Sequence, residues 1–242
     1  PQVRLLFGTD GIARAPEAIS RLQEEPRLRL SLLEFAGEYE EREQADLSGS
    51  PASAFVNIMQ GCDNFCTYCI VPYVRGRQKS RRAEAVIHEC RSLLEQGARE
   101  ITLLGQNVNS YGRDKNADRT SFAELLYKIA DLSGLERLRF VTPHPKDIAP
   151  EVLAAFAELD CLCPRLHLPL QSGSDRILQA MNRRYDTARY LRIVEDLRKA
   201  RPDIILSTDI IVGFPGETEE DFQMTMDLMR EVDFATSFSF VY

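Results

Sequence analysis

The sequence predicts an α/β protein built around a parallel β-sheet. Six apolar runs have the length and composition of buried strands, and they alternate with five segments whose apolar residues recur at helical spacing. Strands joined in this way pair in parallel through right-handed crossovers, and near-continuous apolar strands indicate a sheet covered on both faces. Either a doubly wound sheet or a partial βα barrel satisfies this pattern. Both folds place their chemistry at the carboxyl ends of the strands.

Two elements are predicted before the βα pattern begins. Val3–Phe7 have the composition of a short strand, and Ala15–Gln23 that of a weakly amphipathic helix. Residues 38–53 are polar and acidic, which is typical of a linker. We therefore expect a domain boundary near Ser50, with the βα pattern starting at Ala54.

The elements of the βα pattern follow in order along the chain. The predicted strands are Phe55–Met59, Ile101–Leu104, Leu138–Val141, Leu166–Leu170, Ile204–Val212 and Thr236–Val241. The predicted helices are Ala83–Gln96, a helix starting at Ser121, Pro150 to about Leu159, the pair Asp175–Met181 and Thr187–Ala200, and a helix following Thr218. Glu124, three residues after Ser121, completes the pattern of a capping box. Acidic residues in the first turn after Thr218 are favoured there by the helix dipole.

Composition and charge exclude several classes of protein. The 242 residues are 44% hydrophobic and 28% charged, and no apolar run reaches the ~18–20 residues that a membrane helix needs. Six cysteines are too few for a disulfide scaffold, so we expect a cytoplasmic protein with reduced thiols. The net charge of −7 hides five cationic side chains between Arg75 and Arg82. Such a run is either a solvated loop or a local patch that binds RNA.

Three cysteines share one short loop after the first strand of the βα pattern. Cys62, Cys66 and Cys69 form a C-x3-C-x2-C pattern, and soft thiolates select iron–sulfur clusters or zinc. Structural zinc sites and electron-carrying 4Fe-4S clusters use four ligands, whereas three cysteines leave one iron of a cluster open to a substrate. A zinc site would need a fourth ligand, and His88 and Cys90 on the next helix point to different faces. Unligated core cysteines are the third interpretation.

The loop, with Tyr68 before its last cysteine, resembles that of the radical S-adenosylmethionine (SAM) superfamily. The longer stretches that resemble its methylthiotransferase family are CTYCIVPYVRGRQKSR, LLGQNVNSYG, TPHPKDI, LHLPLQSGSDRILQAMNRRY and LSTDIIVGFPGETEEDF. The resemblance runs from about Ala54 to the last residue and implies a partial (βα)6 TIM-like radical SAM barrel. It is closest to the transferases that thiomethylate isopentenyl-adenosine beside the tRNA anticodon. The alternatives are relatives that modify threonylcarbamoyl-adenosine of tRNA or a ribosomal-protein aspartate.

The resemblance also implies the residues of the site. Cys62, Cys66 and Cys69 are expected to hold a 4Fe-4S cluster whose open iron binds SAM. The expected SAM contacts are Tyr68, Gly105, Gln106, Asn107, Gln171, Ser172, Arg183, Asp209, Val212 and Gly213. The bare backbone at Val212 and Gly213 suits a ligand in the barrel mouth. The expected RNA contacts are Arg75, Arg77 and Lys79.

Several of these residues have a second interpretation. Residues 105–107 also fit an ordinary βα turn, and Arg183 fits a surface arginine. Ser174 or Asp175 is equally an N-cap, and Ser207 with Asp209 is equally a hydrogen-bonded core pair. The remaining candidates are assigned no metal or catalytic role. We interpret His144 and His167 as satisfied core or loop histidines, and Cys161 and Cys163 as buried small hydrophobes.

The resemblance finally implies partners and missing parts. We expect the anticodon loop of tRNA as substrate, a flavodoxin-type electron donor, a monomer, and no membrane contact. Residues 1–50 hold no cysteine and resemble the end of an N-terminal α/β domain plus a linker, while 51–242 resemble a barrel core without its last helix.

The second 4Fe-4S cluster and the C-terminal RNA-binding module of the family are expected only in a longer protein. This chain should therefore cleave SAM but not complete thiomethylation. A radical enzyme acting on a protein side chain and a zinc-stabilised RNA-binding module remain as alternative classes.

Overall fold

The computed structural model describes residues 2–39, 41, 52–115 and 117–242. At its amino-terminal end, β1 (Leu5–Phe7) pairs in parallel with β2 (Leu30–Leu32), and α1 (Ala15–Glu24) connects them. The predicted first strand and helix are confirmed, whereas β2 is not predicted because three residues carry too little pattern. The domain boundary predicted near Ser50 lies outside the described residues.

Six parallel strands form the main body and confirm the predicted βα pattern. They are β3 (Ser53–Asn57), β6 (Glu100–Leu104), β7 (Arg137–Phe140), β8 (Arg165–His167), β9 (Ile205–Val212) and β10 (Thr236–Val241). A short antiparallel ladder of β4 (Met59–Gln60) with β5 (Lys79–Ser80) interrupts the pattern after β3. This ladder is not predicted, since its two strands are separated by the whole cysteine loop.

The strand order decides between the two folds left open by the sequence. β3, β6 and β7 pair in that order, as do β8, β9 and β10. A parallel bridge from Leu138 to Leu162, just before β8, joins the two halves, and the Leu138 N–H donates to the Cys161 carbonyl at 2.7 Å. Each strand thus lies beside its predecessor, as in a βα barrel, with no reversal of order as in a doubly wound sheet. The predicted partial barrel is confirmed.

Seven further helices follow α1 along the described chain. They are α2 (Val71–Val74), α3 (Ala83–Glu95), α4 (Phe122–Ala130), α5 (Pro150–Glu158), α6 (Asp175–Ala180), α7 (Thr187–Ala200) and α8 (Glu219–Val232). The predicted capping box of Ser121 and Glu124 begins α4, and Thr218 with Asp221 forms a second one at α8. The two capping boxes fix where α4 and α8 begin. None of the described helices is long and apolar enough to cross a membrane.

The core includes the apolar side chains that one face of the sheet presents to the helices. Val56, Ile101, Leu103 and Leu138 are fully buried. The helices cover them with one apolar stripe each, and the fully buried members of those stripes include Leu125, Ile129, Ala155 and Leu197. The predicted coverage of both sheet faces does not hold at the first and last strands: Phe55 of β3 is 69% exposed, and all six residues of β10 are exposed.

Candidate functional site

The cysteine loop extends from the carboxyl end of β3 and is closed at its base by the β4–β5 ladder. Gly61 begins the loop with φ +77°, and a Cβ there would lie 2.1 Å from the carbonyl oxygen of Arg77. Only glycine allows this close crossing. The Cys62 N–H then donates to the Gly76 carbonyl at 3.2 Å, so both ends of the loop are held together.

The three cysteines of the loop carry free thiols in a largely buried setting. Cys62 and Cys66 are 7% and 8% exposed, and Cys69 is half-buried. Burial raises the pKa of the Cys62 thiol, and the neighbouring charges of Cys66 and Cys69 raise it further. Burial disfavours the Cys62 thiolate in the absence of a counter-charge, which a bound metal centre would supply.

The turn after α6 clamps this loop against the barrel. Asn182 Nδ2 donates to the carbonyls of Asn64 and Phe65 at 3.1 and 3.0 Å, and the Thr67 N–H donates to the Met181 carbonyl at 3.1 Å. Asn182 has φ +57°, a conformation that asparagine tolerates better than most residues. The sequence interpretation missed this clamp, although an asparagine directly after a helix is a signal for such a turn.

Arg183 lies behind the cysteine loop, where it links three polar partners. It is 4% exposed, and its Nη1 donates to the Tyr68 hydroxyl at 3.0 Å and to Cys66 Sγ at 3.5 Å. Burial by itself lowers the pKa of Arg183, but Tyr185, Tyr68 and Cys66 raise it, so the guanidinium keeps its charge. The surface-arginine alternative is wrong. The guanidinium thus places a buried positive charge against the Cys66 sulfur.

The turn after β6 contacts the cysteine loop from the other side. Gln106 Oε1 accepts the Gly61 N–H at 2.7 Å, and a Cβ on Gly105 would lie 2.5 Å from Met59 Cγ. Asn107 is 2% exposed; its Nδ2 donates to Asp147 Oδ2 at 2.8 Å, whereas its Oδ1 has no partner among the described residues. The Gln106 side chain thus positions the loop instead of facing open space.

Comparison with known proteins decides the family. The sequence profile described as the Radical SAM superfamily matches residues 56–229, which include all three cysteines of the loop.

The chain belongs to the radical SAM superfamily.

Curated relatives match the radical SAM chain over its whole length. A protein of Nitratidesulfovibrio vulgaris named tRNA-2-methylthio-N(6)-dimethylallyladenosine synthase is 70% identical over 243 residues, which cover 100% of this chain and 54% of the relative. Proteins of the same name from Oleidesulfovibrio alaskensis and Lawsonia intracellularis are 64% and 56% identical, over 52% and 55% of their lengths. The chain therefore spans about half the length of the curated relatives it matches.

Solved structures confirm the radical SAM fold. The radical S-adenosylmethionine methyltransferase TsrM from Kitasatospora setae matches with a TM-score of 0.63 at 21% identity, over 77% of this chain and 36% of that one. The cobalamin-dependent radical enzyme OxsB matches with a TM-score of 0.64 at 14% identity, over 91% and 35%. At these identities the likeness concerns the fold alone.

The donor set of the radical SAM loop fits a 4Fe-4S cluster better than a single metal ion. Across the described parts of the chain, no three His, Cys, Asp or Glu side chains converge as ligands of one ion. Each thiolate of a cluster binds a different iron, so a cluster does not require such convergence. A structural zinc ion does require it, together with a fourth ligand. The unpartnered Asn107 Oδ1, at the adjoining strand end, is the kind of buried acceptor that a bound cofactor would satisfy.

Three polar residues that follow β8 make hydrogen bonds within the protein, and one of them, Ser174, takes its alternative role as an N-cap. Ser174 caps α6, since its hydroxyl accepts the Ile177 N–H. Ser172 is fully buried with its hydroxyl 3.4 Å from Thr225 of α8, which is a correction to its predicted contact with the cofactor. Gln171, with φ +72°, bonds through its backbone to β9, because its N–H donates to the Asp209 carbonyl at 2.8 Å.

The polar face of β9 pairs with a histidine of β8. His167 lies 3.0 Å from Ser207 Oγ through Nδ1 and 3.2 Å from Asp209 Oδ2 through Nε2. The His167 and Asp209 side chains are 24% and 28% exposed, so this hydrogen-bonded set is partly accessible. At the end of the same strand, Gly213 has φ +77°, and no described atom lies within 4 Å of where a Cβ would be. The strand end therefore borders open space, which suits a ligand.

The basic run after the loop is divided between buried and exposed residues. The expected contact of Lys79 with RNA is wrong. Its ammonium is 2.8 Å from both carboxylate oxygens of Asp10, and its side chain is 7% exposed, so it does not face RNA. It lies in β5, which with β4 closes the base of the loop. Arg75 and Arg77 are exposed, as predicted for an RNA-facing pair. Arg77 lies 5.0 Å over the Phe65 ring and 2.8 Å from Asp63.

The sequence predicts that the ring nitrogens of His144 both have hydrogen-bond partners, and the structure differs at one of them. His144 is 6% exposed, and its Nδ1 accepts the Lys146 N–H at 3.1 Å. Its Nε2 is buried without a hydrogen-bond partner in the described parts of the chain. The sequence could not reveal this, because the environment comes from the turn after α6, which is distant along the chain.

Proposed function

We propose that the chain is the radical SAM barrel of a tRNA methylthiotransferase that acts on isopentenyl-adenosine beside the anticodon. The observation that supports this most strongly is the 70% identity, across the whole chain, to a relative named for that activity. None of the three curated relatives described above is named for the alternative substrates, threonylcarbamoyl-adenosine or a ribosomal-protein aspartate. The site residues below belong to the same proposal.

In this proposal Cys62, Cys66 and Cys69 hold the 4Fe-4S cluster, and SAM binds at the open iron. The bound pair supplies the one-electron chemistry that activates a carbon–hydrogen bond of the adenine ring. The protein holds the loop rigid through Gly61 and Gln106, which are joined by a 2.7 Å hydrogen bond. In the same proposal the remaining SAM contacts are Tyr68 of the cysteine loop, Arg183 after α6, and residues at or after strand ends: Gly105, Asn107, Gln171, Asp209, Val212 and Gly213.

A surface beside the loop supports RNA as the substrate. Tyr73 and Ile70, which are 70% and 67% exposed, lie next to Arg75 and Arg77. Exposed aromatic rings beside arginines are how proteins hold unstacked bases of single-stranded loops. We call Tyr73, Arg75 and Arg77 the loop-side surface. A protein-side-chain substrate would not require this combination.

The remaining parts of the proposal concern the protein's location, its oligomeric state, its electron donor and its further domain and cluster. We place the protein in the cytoplasm as a monomer, with a flavodoxin-type donor supplying the electron. We also keep residues 1–50 as part of a domain distinct from the barrel, and a second 4Fe-4S cluster as a property of the longer protein.

Anaerobic reconstitution with iron and sulfide tests the proposal. We expect one cluster, roughly four irons per chain, with a brown chromophore, and SAM cleavage to methionine and 5′-deoxyadenosine after reduction. Cys69→Ala should lose both, whereas Cys163→Ala, at the other end of the barrel strands, should retain them. A colourless chain with one tightly bound zinc would overturn the proposal.

A further inference from the structure

The connection between β6 and α4 presents three basic side chains to solvent beside the cysteine loop. Arg113, Lys115 and Arg119 are all exposed. Arg113 pairs with Asp147 at 2.7 Å but keeps 54% of its side chain exposed. Among the described residues, the side chains of Lys115 and Arg119 form no hydrogen bond or ion pair. In a chain whose net charge is −7, these cations are available to an external anion.

The acidic residues of the same connection are held by backbone amides. Asp114 accepts the Ser80 N–H at 3.0 Å, and Asp118 accepts the Ala83 and Thr120 N–H groups at 2.7 and 3.0 Å. Short acidic side chains commonly bond to the backbone in this way. The connection therefore directs its carboxylates to its own surroundings and its cations to the solvent.

Hydrogen bonds fix this connection against the base of the cysteine loop. The Gly112 N–H donates to Ser80 Oγ at 3.0 Å, and the Asp114 carboxylate holds the amide of the same serine. Ser80 lies three residues after Arg77 of the loop-side surface, and Gly112 directly precedes Arg113. β3 and β6, the strands that lead into the two segments, are paired neighbours in the sheet. The two basic surfaces therefore lie side by side on the rim at the carboxyl ends of the strands.

We propose that Arg113, Lys115 and Arg119, which we call the connection surface, bind the phosphate backbone of the double-stranded stem that adjoins the anticodon loop. This inference rests on the proposed function, because it requires the loop-side surface to hold the single-stranded loop of a tRNA. A double-stranded RNA helix is recognised mainly through its backbone and shape, whereas unstacked bases are held by exposed aromatic rings.

The side chains of the connection favour the stem over the loop bases. The described residues between β6 and α4 include no exposed aromatic ring, since Tyr111 is 1% exposed, whereas Tyr73 of the loop-side surface is 70% exposed. Cations without such a ring suit phosphates alone. Because the two surfaces are neighbours, one stem-loop can contact both at once, and each contact then strengthens the other.

A double variant tests the inference with the two cations that have no partner in the fold. Lys115→Ala combined with Arg119→Ala leaves the pair of Arg113 and Asp147 in place. We expect this variant to bind an anticodon stem-loop about 2- to 30-fold more weakly than the parent. Its slope of log affinity against log salt should fall by about 0.9 for each stem phosphate that is no longer neutralised. Binding of the loop nucleotides alone, as a single strand, should not change.

The matched control is Arg192→Ala combined with Lys199→Ala, which removes the same charge from the exposed face of α7 and should leave both affinities unchanged. Thermal unfolding and iron content show that fold and cluster are intact. Equal weakening of both RNAs would assign the connection surface to the loop bases, and an unchanged stem-loop affinity would assign it to another anionic partner, such as an acidic protein. Either result, or an equal loss in the control, would overturn the inference. A parent chain that binds neither RNA would instead contradict the proposed function, and this inference with it.

Discussion

Lys79 and Asp10 form an ion pair of 2.8 Å that joins the amino-terminal segment to β5, beneath the cysteine loop. Their side chains are 7% and 6% exposed. Asp10 also accepts hydrogen bonds from Gln60 Nε2 at 2.7 Å and from the Ala36 N–H at 3.0 Å, so its two oxygens connect three parts of the chain. The base of the loop therefore depends on a segment far from the barrel in sequence.

Asp10→Asn should strongly destabilise this junction. The variant keeps the shape but leaves the buried ammonium of Lys79 without a counter-charge, which costs about 3–5 kcal/mol. Urea unfolding measures the loss. The matched control is Asp63→Asn at the pair of Asp63 and Arg77, whose side chains are 43% and 70% exposed and which should lose only ~0.2–1 kcal/mol. Equal losses in the two variants would contradict the importance of burial here.

The same pair predicts a dependence of stability on acid. Burial raises the pKa of Asp10, but the hydrogen bonds from Lys79, Gln60 and Ala36 outweigh it and hold the pKa below its ordinary 3.8. A carboxyl with a lowered pKa stabilises the fold above its unfolded pKa, and this stabilisation disappears as the pH falls through the folded value. The parent should lose more unfolding free energy between about pH 5 and pH 3 than Asp10→Asn does. Parallel pH profiles would show that Asp10 is not responsible.

Gly61→Ala should prevent the cysteine loop from closing. A Cβ would lie 2.1 Å from the Arg77 carbonyl, and φ +77° alone costs a non-glycine residue about 1–3 kcal/mol. We expect less than half of the parent's iron after reconstitution, measured with absorbance near the charge-transfer bands. Gly37→Ala, where no described atom lies within 4 Å of a Cβ, should reconstitute normally. Full iron content in Gly61→Ala would show that the loop can adopt another path.

Local patterns in the sequence were sufficient for most of the fold. The capping boxes at Ser121 and Thr218 involve residues three positions apart, and the buried strands carry their own apolar signature. The ladder of β4 with β5 was beyond prediction, because its strands carry two residues each and pair across the whole cysteine loop. Its formation is what buries Lys79, so the wrong expectation for that residue follows from the missing ladder.

The candidate site likewise has a part that local sequence predicts and a part that depends on tertiary contacts. The spacing of Cys62, Cys66 and Cys69 is local and predicts a site for iron–sulfur clusters or zinc. The 4Fe-4S cluster was then expected from the resemblance to the radical SAM superfamily. The environments of Arg183 and His144 depend on the turn after α6 meeting distant strand ends, and the bond from Arg183 to Cys66 spans 117 positions. Residue type alone cannot tell a surface arginine from a buried one, since only the tertiary contacts supply the partners.

Arg183→Lys should weaken the site although it keeps the charge. The guanidinium contacts Cys66, Tyr68 and the Pro169 carbonyl from one planar group, and an ammonium cannot reach all three. We expect the cluster of the variant to be removed by a chelator several times faster than that of the parent, followed by absorbance. Arg184→Lys is the matched control, since Arg184 is exposed and donates to Asn182 Oδ1 at 3.4 Å. Identical chelation rates in the two variants would show that Arg183 does not support the cysteine loop.

The loop-side surface makes a prediction about RNA that separates charge from stacking. Replacing Arg75 and Arg77 by alanine should weaken binding of a tRNA anticodon stem-loop and reduce the slope of log affinity against log salt by about 0.7 for each phosphate that the variant no longer neutralises. Tyr73→Ala should weaken binding about 5- to 100-fold without changing that slope, because stacking releases no counterions. Tyr73→Phe keeps the ring and should retain affinity. Lys199→Ala, on the outer helix α7, controls for net charge. If all of these variants bound the stem-loop equally, the loop-side surface would not be the RNA contact. A protein substrate would then again become the better interpretation of the barrel mouth.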